Sequence, residues 1–222
     1  MDKTAPGLYK KIFQPDETRY VQYIPEGVTD GSARPLIMVL HWGGMISRYH
    51  GLGILTMLAL PALDDTGAIM VAPDCAAGDW TSPKCGMTAM KILEQVILDL
   101  PVDERKIMLM GYSIGGIGTW HIGSLHMDRF CCIMPISAPV PELAMKTDWR
   151  IPIYVIHSHG DELFPGQQTA DACERLISKG ANLKLDMIGD ATHFDTEGFI
   201  PAIRRAAIRV NRFWLSEDQA PR

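Results

Sequence analysis

The sequence predicts an α/β fold: a mostly parallel central sheet of about seven or eight strands, helices on both faces, and no cap domain. Two observations carry this. Several short runs, such as "RPLIMVL", "AIMVAP" and "KIMLMGY", are apolar without alternation, as in strands buried on both faces. Between them lie stretches with apolar residues at helical spacing, such as "MTAMKILEQVILDL". Strand and helix then alternate, and connections between parallel strands must be right-handed crossovers.

Taken in order, "TRYVQYIPE" alternates and reads as an early, partly exposed strand, and "RPLIMVLHW" as a buried one. Residues 50–63 are helical in pattern, and "GAIMVAPD" is the next buried strand. "MTAMKILEQVILDL" is a helix stopped by Pro101. "RKIMLMGYS" is a strand ending at Ser113, "GGIGTWHIGSLHM" a helix and "FCCIMPISA" a strand. "IPIYVIHSHGDE" is a strand running into a polar cluster. "QQTADACERLISKGA" is a helix ended by Gly180, "NLKLDMIGD" the last strand, and "EGFIPAIRRAAIRVNRFWL" the closing helix.

A chain of 222 residues without repeats or linkers fits one domain over 1–222. The net charge of -5 excludes a global basic footprint for nucleic acid. Arg204, Arg205, Arg209 and Arg212 fall at helical spacing and read as a solvated helix face. The longest apolar stretch, "GLGILTMLALPAL", is too short to span a bilayer, and the first residues carry no secretory pattern. Five cysteines without a C-x-x-C pair indicate neither a zinc site nor a disulfide framework. Cys75 and Cys85 share a loop region and could meet, but reduced thiols in a cytoplasmic protein are the simpler expectation. Cys131 and Cys132, adjacent on a strand, are expected to face opposite ways.

Ligands on such a sheet bind at the carboxyl ends of its strands, so the residues just past each strand matter most. There stand His41-Trp42-Gly43-Gly44, Ser113, Asp161 and His193. Gly111-Tyr112-Ser113-Ile114-Gly115, between strand and helix, has the nucleophile-elbow pattern. The turn strains the serine backbone, and side chains at the flanking glycines would strike neighbouring backbone. The bland alternative is a serine in a tight bend. A P-loop needs Gly-Lys-Ser/Thr, and a dinucleotide fingerprint from Gly116 would need glycine at His121, so both are excluded.

A serine hydroxyl needs a base, and the base needs an orienting carboxylate. In the order serine, acid, histidine, the base after the acid loop is His193, since no histidine follows it. Asp161 directly follows an apolar strand and is the candidate acid; Glu162 is its neighbouring rival, and Asp186 and Asp190 lie too near the histidine's own strand. Ile114 and either Gly43 or Trp42 are candidate oxyanion N–H donors. His41 is expected to order its loop rather than to catalyse. Trp42, Met45, Trp80, Phe164 and Phe194 neighbour these segments and are candidate pocket residues.

With these residues in view, the chain resembles the α/β-hydrolase superfamily over about residues 18–214. More narrowly, it is similar to small lidless serine esterases grouped with dienelactone hydrolases, phospholipase/carboxylesterases and polyhydroxybutyrate-depolymerase-like proteins. "PVDERKIMLMGYSIGGIGTW" carries that group's lead-in and elbow, and "IPIYVIHSHGDELFP" and "GDATHF" its acid and histidine segments. The resemblance implies the triad Ser113, Asp161 and His193, and oxyanion donors Ile114 with Gly43 or Trp42. It departs where His-Gly often follows the third strand and His41-Trp42 stands here. Dienelactone hydrolases proper use a cysteine nucleophile, and serine here argues against that activity. Only about 14 residues, 138 to 151, separate the sixth and seventh strands, so no cap is expected and the site should be open and shallow.

The expected activity is a serine carboxylesterase on small, soluble, short-acyl esters, needing no metal or cofactor. A peptidase or thioesterase on the same residues is the enzymatic alternative. A non-catalytic binding protein on this fold is the alternative from another class.

Overall fold

The computed structural model of the chain describes residues 4–28, 31–45 and 47–217; both ends of the domain expected over 1–222 lie outside them. Eight strands form one sheet in the order β1-β2-β4-β3-β5-β6-β7-β8. They are β1 Gly7–Phe13, β2 Thr18–Ile24, β3 Arg34–Leu40, β4 Ile69–Pro73, β5 Val102–Tyr112, β6 Cys132–Ile136, β7 Ile153–Ser158 and β8 Leu183–Ile188. β2 runs antiparallel to β1 and β4. All pairings from β4 through β3 to β8 are parallel.

The helices are α1 Gly51–Ile54, α2 Leu60–Leu63, α3 Pro83–Asp99, α4 Ile114–Leu125, α5 Glu142–Lys146, α6 Gly166–Ser178 and α7 Ile200–Glu217. Each central strand sends alternate side chains into two cores. Leu36, Met38 and Leu40 pack with Ile92 and Leu93 of α3 and Trp120 of α4. Ile37 and Val39 pack with Ile54, Leu58, Ile203 and Val210 from α1, α7 and the turn between α1 and α2. Burial on both faces explains why these strands read as unbroken apolar runs.

Three departures from the sequence expectations have physical reasons. β1 lies within a stretch without clean alternation: Leu8 and Ile12 are exposed, while Lys11 shares the more covered face with Phe13. It is an edge strand held by pairing with β2 rather than by an apolar face. The helix expected over 50–63 widens to a π-helical turn at Leu55–Ala59. Pro61, two residues past its end, has no N–H for the ordinary bond one turn back. β6 begins at Cys132, so Cys131 precedes the strand and escapes its alternation; the two sulfurs lie 3.9 Å apart.

The expectation of reduced thiols is corrected. Cys75 and Cys85 are bonded, with Cα atoms 5.3 Å apart, joining the loop after β4 to the first turn of α3. Cys131, Cys132 and Cys173 are free. The cytoplasmic setting loses the support it drew from unpaired thiols. Among the described residues no helix is long and apolar enough to cross a membrane.

β5 follows β4 in the chain but pairs on the other side of β3, so the connections part between β3 and β5. A crevice opens at such a switch point, outside the carboxyl ends of the strands. No cap intervenes: the connection from β6 to β7 holds only the short helix α5.

The disulfide closes a short loop, for which chain-entropy reasoning gives about 3 kcal/mol. Cys75→Ala/Cys85→Ala should therefore lower Tm by roughly 6–12 °C in thermal denaturation. A Tm equal to that of the unreduced parent would show that the bond contributes nothing.

Candidate active site

Ser113 stands one residue past β5, at φ 59 and ψ -122. Its N–H is tied to Ile136 O of β6 at 2.9 Å. A non-glycine residue at positive φ is unusual and persists only where its surroundings hold it. Here the surroundings are two glycines. A β-carbon at Gly111 would collide with Gly115 O, and one at Gly115 with Leu40 O and His41 O. The close approach of α4 to β5 and β3 therefore requires both. The turn expected from the sequence has this strained geometry.

Ser113 Oγ lies 2.8 Å from His193 Nε2. On the other side of the ring, His193 Nδ1 lies 2.9 Å from Asp161 Oδ2. Ser113, Asp161 and His193 are all buried, at 8%, 5% and 4% exposure. With Nδ1 protonated, His193 donates to the carboxylate and its Nε2 accepts from the serine hydroxyl. The loop carrying His193 is fastened twice: its N–H donates to Glu162 Oε2, and Tyr112 O–H donates to its carbonyl, each at 2.8 Å. Glu162 thus holds the histidine backbone, not its ring. Asp186 is engaged by Arg205 on the surface.

Asp161 is well supplied with donors. Its Oδ1 accepts from Leu163 N at 3.0 Å and Phe164 N at 2.8 Å, and its Oδ2 from Ser137 Oγ at 2.5 Å. Burial alone would raise its pKa, but the hydrogen bonds from Ser137, His193 and Phe164 outweigh it and hold the carboxyl below its usual value. It is therefore ionised at neutral pH. His157 sits nearby, its Nε2–H donated to Phe164 O at 2.8 Å, and burial lowers its pKa.

A cavity of about 400 Å³ opens on Ser113 and His193. It is lined by Trp42, Gly43, Gly44, Met57, Tyr112, Ile114, Leu163, Phe164, Phe194 and Thr196. Five expected residues therefore line it together with Ser113 and His193: Trp42, Gly43, Ile114, Phe164 and Phe194. The N–H of Ile114 opens α4, where no helical acceptor lies behind it.

Two expected pocket residues are elsewhere. Met45 projects into solvent at 93% exposure. Trp80 is buried in the core, donating its indole N–H to His41 O at 3.0 Å and packing where Gly118 leaves room. Proximity in sequence to a site segment does not say which way a side chain turns. The unexpected lining residues are Met57, Tyr112, Leu163 and Thr196. Met57 comes from the π-helical turn, which no local signal connects to the site. Ser137, which the sequence pattern does not single out, also stands just past a strand end, the signal that points to the others.

His41 orders the loop after β3. Cys75 N–H donates to its Nε2 at 3.0 Å, and its Nδ1–H donates to Trp42 O at 2.7 Å. Both ring nitrogens are thus used with the ring neutral, and burial lowers its pKa to about 4. The bonds run from the disulfide-bearing loop to Trp42 and so to Gly43.

A sheet with this topology, and a serine, histidine and carboxylate gathered at its carboxyl edge, define an α/β-hydrolase, and the esterase relatives that follow make it a hydrolase acting on ester bonds. Residues 82–212 match the Dienelactone hydrolase family, and the chain belongs to that family. It is 33% identical over 203 residues to feruloyl esterase C of Emericella nidulans, covering 83% of this chain and 75% of that one. It is 27% identical over 203 residues to a probable feruloyl esterase C of Aspergillus terreus, with the same coverage, 83% and 75%. In fold it is similar to a fluorophosphonate-binding serine hydrolase of Staphylococcus aureus, with TM-score 0.74 and 14% identity over 93% of this chain and 99% of that one.

A neutral buried His41 makes stability depend on pH. Its folded pKa lies below the unfolded value near 6.5, so the unfolded chain binds the extra proton between the two values. The stability it supports is present above about pH 6.5 and is lost as pH falls toward 4. Going from pH 7 to 5 should cost about 2 kcal/mol from this group in urea unfolding. His41→Gln should flatten that part of the slope; an identical slope in the variant would remove His41 as its source.

Proposed function

We propose that the protein is a serine carboxylesterase that hydrolyses small carboxylic esters through an acyl-enzyme on Ser113. One observation carries the reading: Ser113 Oγ is within 2.8 Å of His193 Nε2 while Asp161 holds Nδ1 at 2.9 Å. The whole 1–222 chain is read as one catalytic domain, with the ester as a small-molecule substrate.

In this mechanism Ser113 Oγ attacks the ester carbonyl carbon as its proton passes to His193 Nε2. The resulting imidazolium is stabilised by Asp161, which stays ionised. The tetrahedral oxyanion accepts hydrogen bonds from the N–H groups of Ile114 and Gly43, with Trp42 the alternative to Gly43. His193 then protonates the leaving alkoxide, the alcohol departs, and an acyl ester on Ser113 remains. Water, deprotonated by His193, repeats the sequence and releases the carboxylic acid. No cofactor takes part in any step.

A short acyl group fits the open, capless site. A larger aromatic acyl group is the second reading, favoured by the cavity lining of Trp42, Met57, Tyr112, Phe164 and Phe194 in about 400 Å³. The feruloyl esterase relatives point the same way.

Incubation with a fluorophosphonate probe should label the protein, and Ser113→Ala should abolish labelling and lower kcat/KM by roughly 10⁴-fold or more. Equal labelling of Ser113→Ala would sink the assignment of the nucleophile. A panel of p-nitrophenyl acetate, butyrate and octanoate, methyl ferulate, an acyl thioester and an aminoacyl amide ranks the substrate readings by kcat/KM. Esters should lead; amide or thioester turnover above ester turnover would overturn the esterase reading. Methyl ferulate above the short acyl esters would select the aromatic acyl pocket.

A further inference from the structure

Ser113 and Ser137 occupy matching places. Each is one residue past a central strand, β5 or β6. Each has positive φ, 59 and 48. The N–H of each is tied to the last part of the next strand, Ser113 to Ile136 O and Ser137 to Ile156 O. They differ in what they face. Ser113 lines the cavity, whereas Ser137 is fully buried, on the Nδ1 side of His193.

Chemistry decides the direction of its bonds. An ionised carboxylate only accepts, so at 2.5 Å the Ser137 hydroxyl donates its one proton to Asp161 Oδ2. At 3.1 Å from His193 Nδ1, its oxygen must then accept. The Nδ1–H is therefore shared between Asp161 Oδ2 at 2.9 Å and Ser137 Oγ.

We propose that Ser137 is a positioning residue of this esterase, whose hydroxyl divides the Nδ1–H bond of His193 with Asp161 and thereby tunes the basicity of His193. The proposal rests on reading Ser113, His193 and Asp161 as the catalytic triad. Each donor that Asp161 accepts dilutes its charge. Without the Ser137 donor, more of that charge acts on Nδ1–H and favours the imidazolium. The ring also loses one of the two acceptors that orient it, but that acceptor is neutral and 3.1 Å away, so the carboxylate charge freed at 2.9 Å outweighs it and the acid limb of the activity profile moves to higher pH.

The other groups facing His193 do not supply this effect. Tyr112 from β5 is used by His193 O, and burial raises its pKa. His157 from β7, 3.4 Å from Asp161 Oδ2, is kept from protonation by burial. Glu162 holds the His193 N–H, and Asp195, next in the same loop, accepts from Gly198 N. Tyr112 also shares a hydrogen bond with Ser137, and His157 faces the same Asp161 oxygen, but both are held neutral by burial, so a substitution at Ser137 acts on His193 through Asp161.

The positive φ supplies a clean variant. Glycine is at ease there, so Ser137→Gly removes the hydroxyl while relieving the backbone. Ser137→Ala removes it and keeps the β-carbon. The measurements are Tm, the pH profile of kcat/KM on p-nitrophenyl butyrate, and the rate of fluorophosphonate labelling. Ser137→Gly should fold with Tm no lower than the parent and remain labelled on Ser113. Its kcat/KM near neutral pH should fall about tenfold, and its acid limb should move to higher pH by about half a unit. Ser137→Ala should show the same limb shift. Profiles that superimpose on the parent would overturn the proposal, as would a lower kcat/KM with an unmoved limb, which marks a merely structural hydroxyl. Collapse of both variants would likewise make Ser137 a folding residue. If the parent itself is not labelled on Ser113, the triad reading fails and this proposal falls with it, whereas a labelled parent with unshifted variants defeats this proposal alone.

Discussion

The imidazole of His193 binds together groups from three neighbouring parallel strands. Its Nε2 meets Ser113 at the end of β5, and its Nδ1 meets Ser137 past β6 and Asp161 past β7. A parallel sheet ends all these strands on one edge, about 5 Å apart, which an imidazole with its partners can span. Nothing local in the sequence brings these residues together. The pairing of β5 with β6 and β6 with β7 does, and that pairing depends on two apolar cores that cover both faces.

The edge also explains where strain is placed. Ser113 and Ser137 hold backbone conformations that serine rarely adopts, and both are tied by their N–H groups to an adjacent strand. Such conformations persist where the surroundings over-determine them. At Ser113 the contact of Gly115 with the backbone of Leu40 and His41 does so. The nucleophile candidate is thus lifted out of the strand direction and toward the cavity, while Ser137 is kept beneath the histidine.

The loop after β3 is the other half of the site, and it has no regular structure to hold it. Its order comes from His41, neutral because it is buried, from the indole of Trp80, and from the loop that Cys75 and Cys85 clamp to α3. A residue expected to line the pocket, Trp80, instead supports the loop that does. This part of the site is therefore fastened to the rest of the molecule by buried polar bonds, whereas Met57, Leu163, Phe164 and Phe194 add apolar side chains to the cavity lining.

The features legible in the chain are those that local physics sets. Short unbroken apolar runs bounded by turn residues mark strands covered on both faces, helical spacing makes the layers, and glycines at 111 and 115 permit a sharp strand-to-helix turn around Ser113. Ser113, Asp161 and His193 each follow an apolar strand, and the chain order serine, acid, histidine made them legible as candidates. Directions and partnerships came only with packing. Leu8, Lys11 and Ile12 carry no sign of an edge strand, because pairing with β2 rather than amphipathicity holds them. Met45 and Trp80 flank site segments yet turn to solvent and to the core, while Met57 arrives from a distant helix. The Cys75–Cys85 bond required the loop after β4 to fold back on the first turn of α3, and the place of Ser137 under His193 required three strands in register. The latter is a matter of distances between segments far apart in the chain, and only the packed sheet sets them.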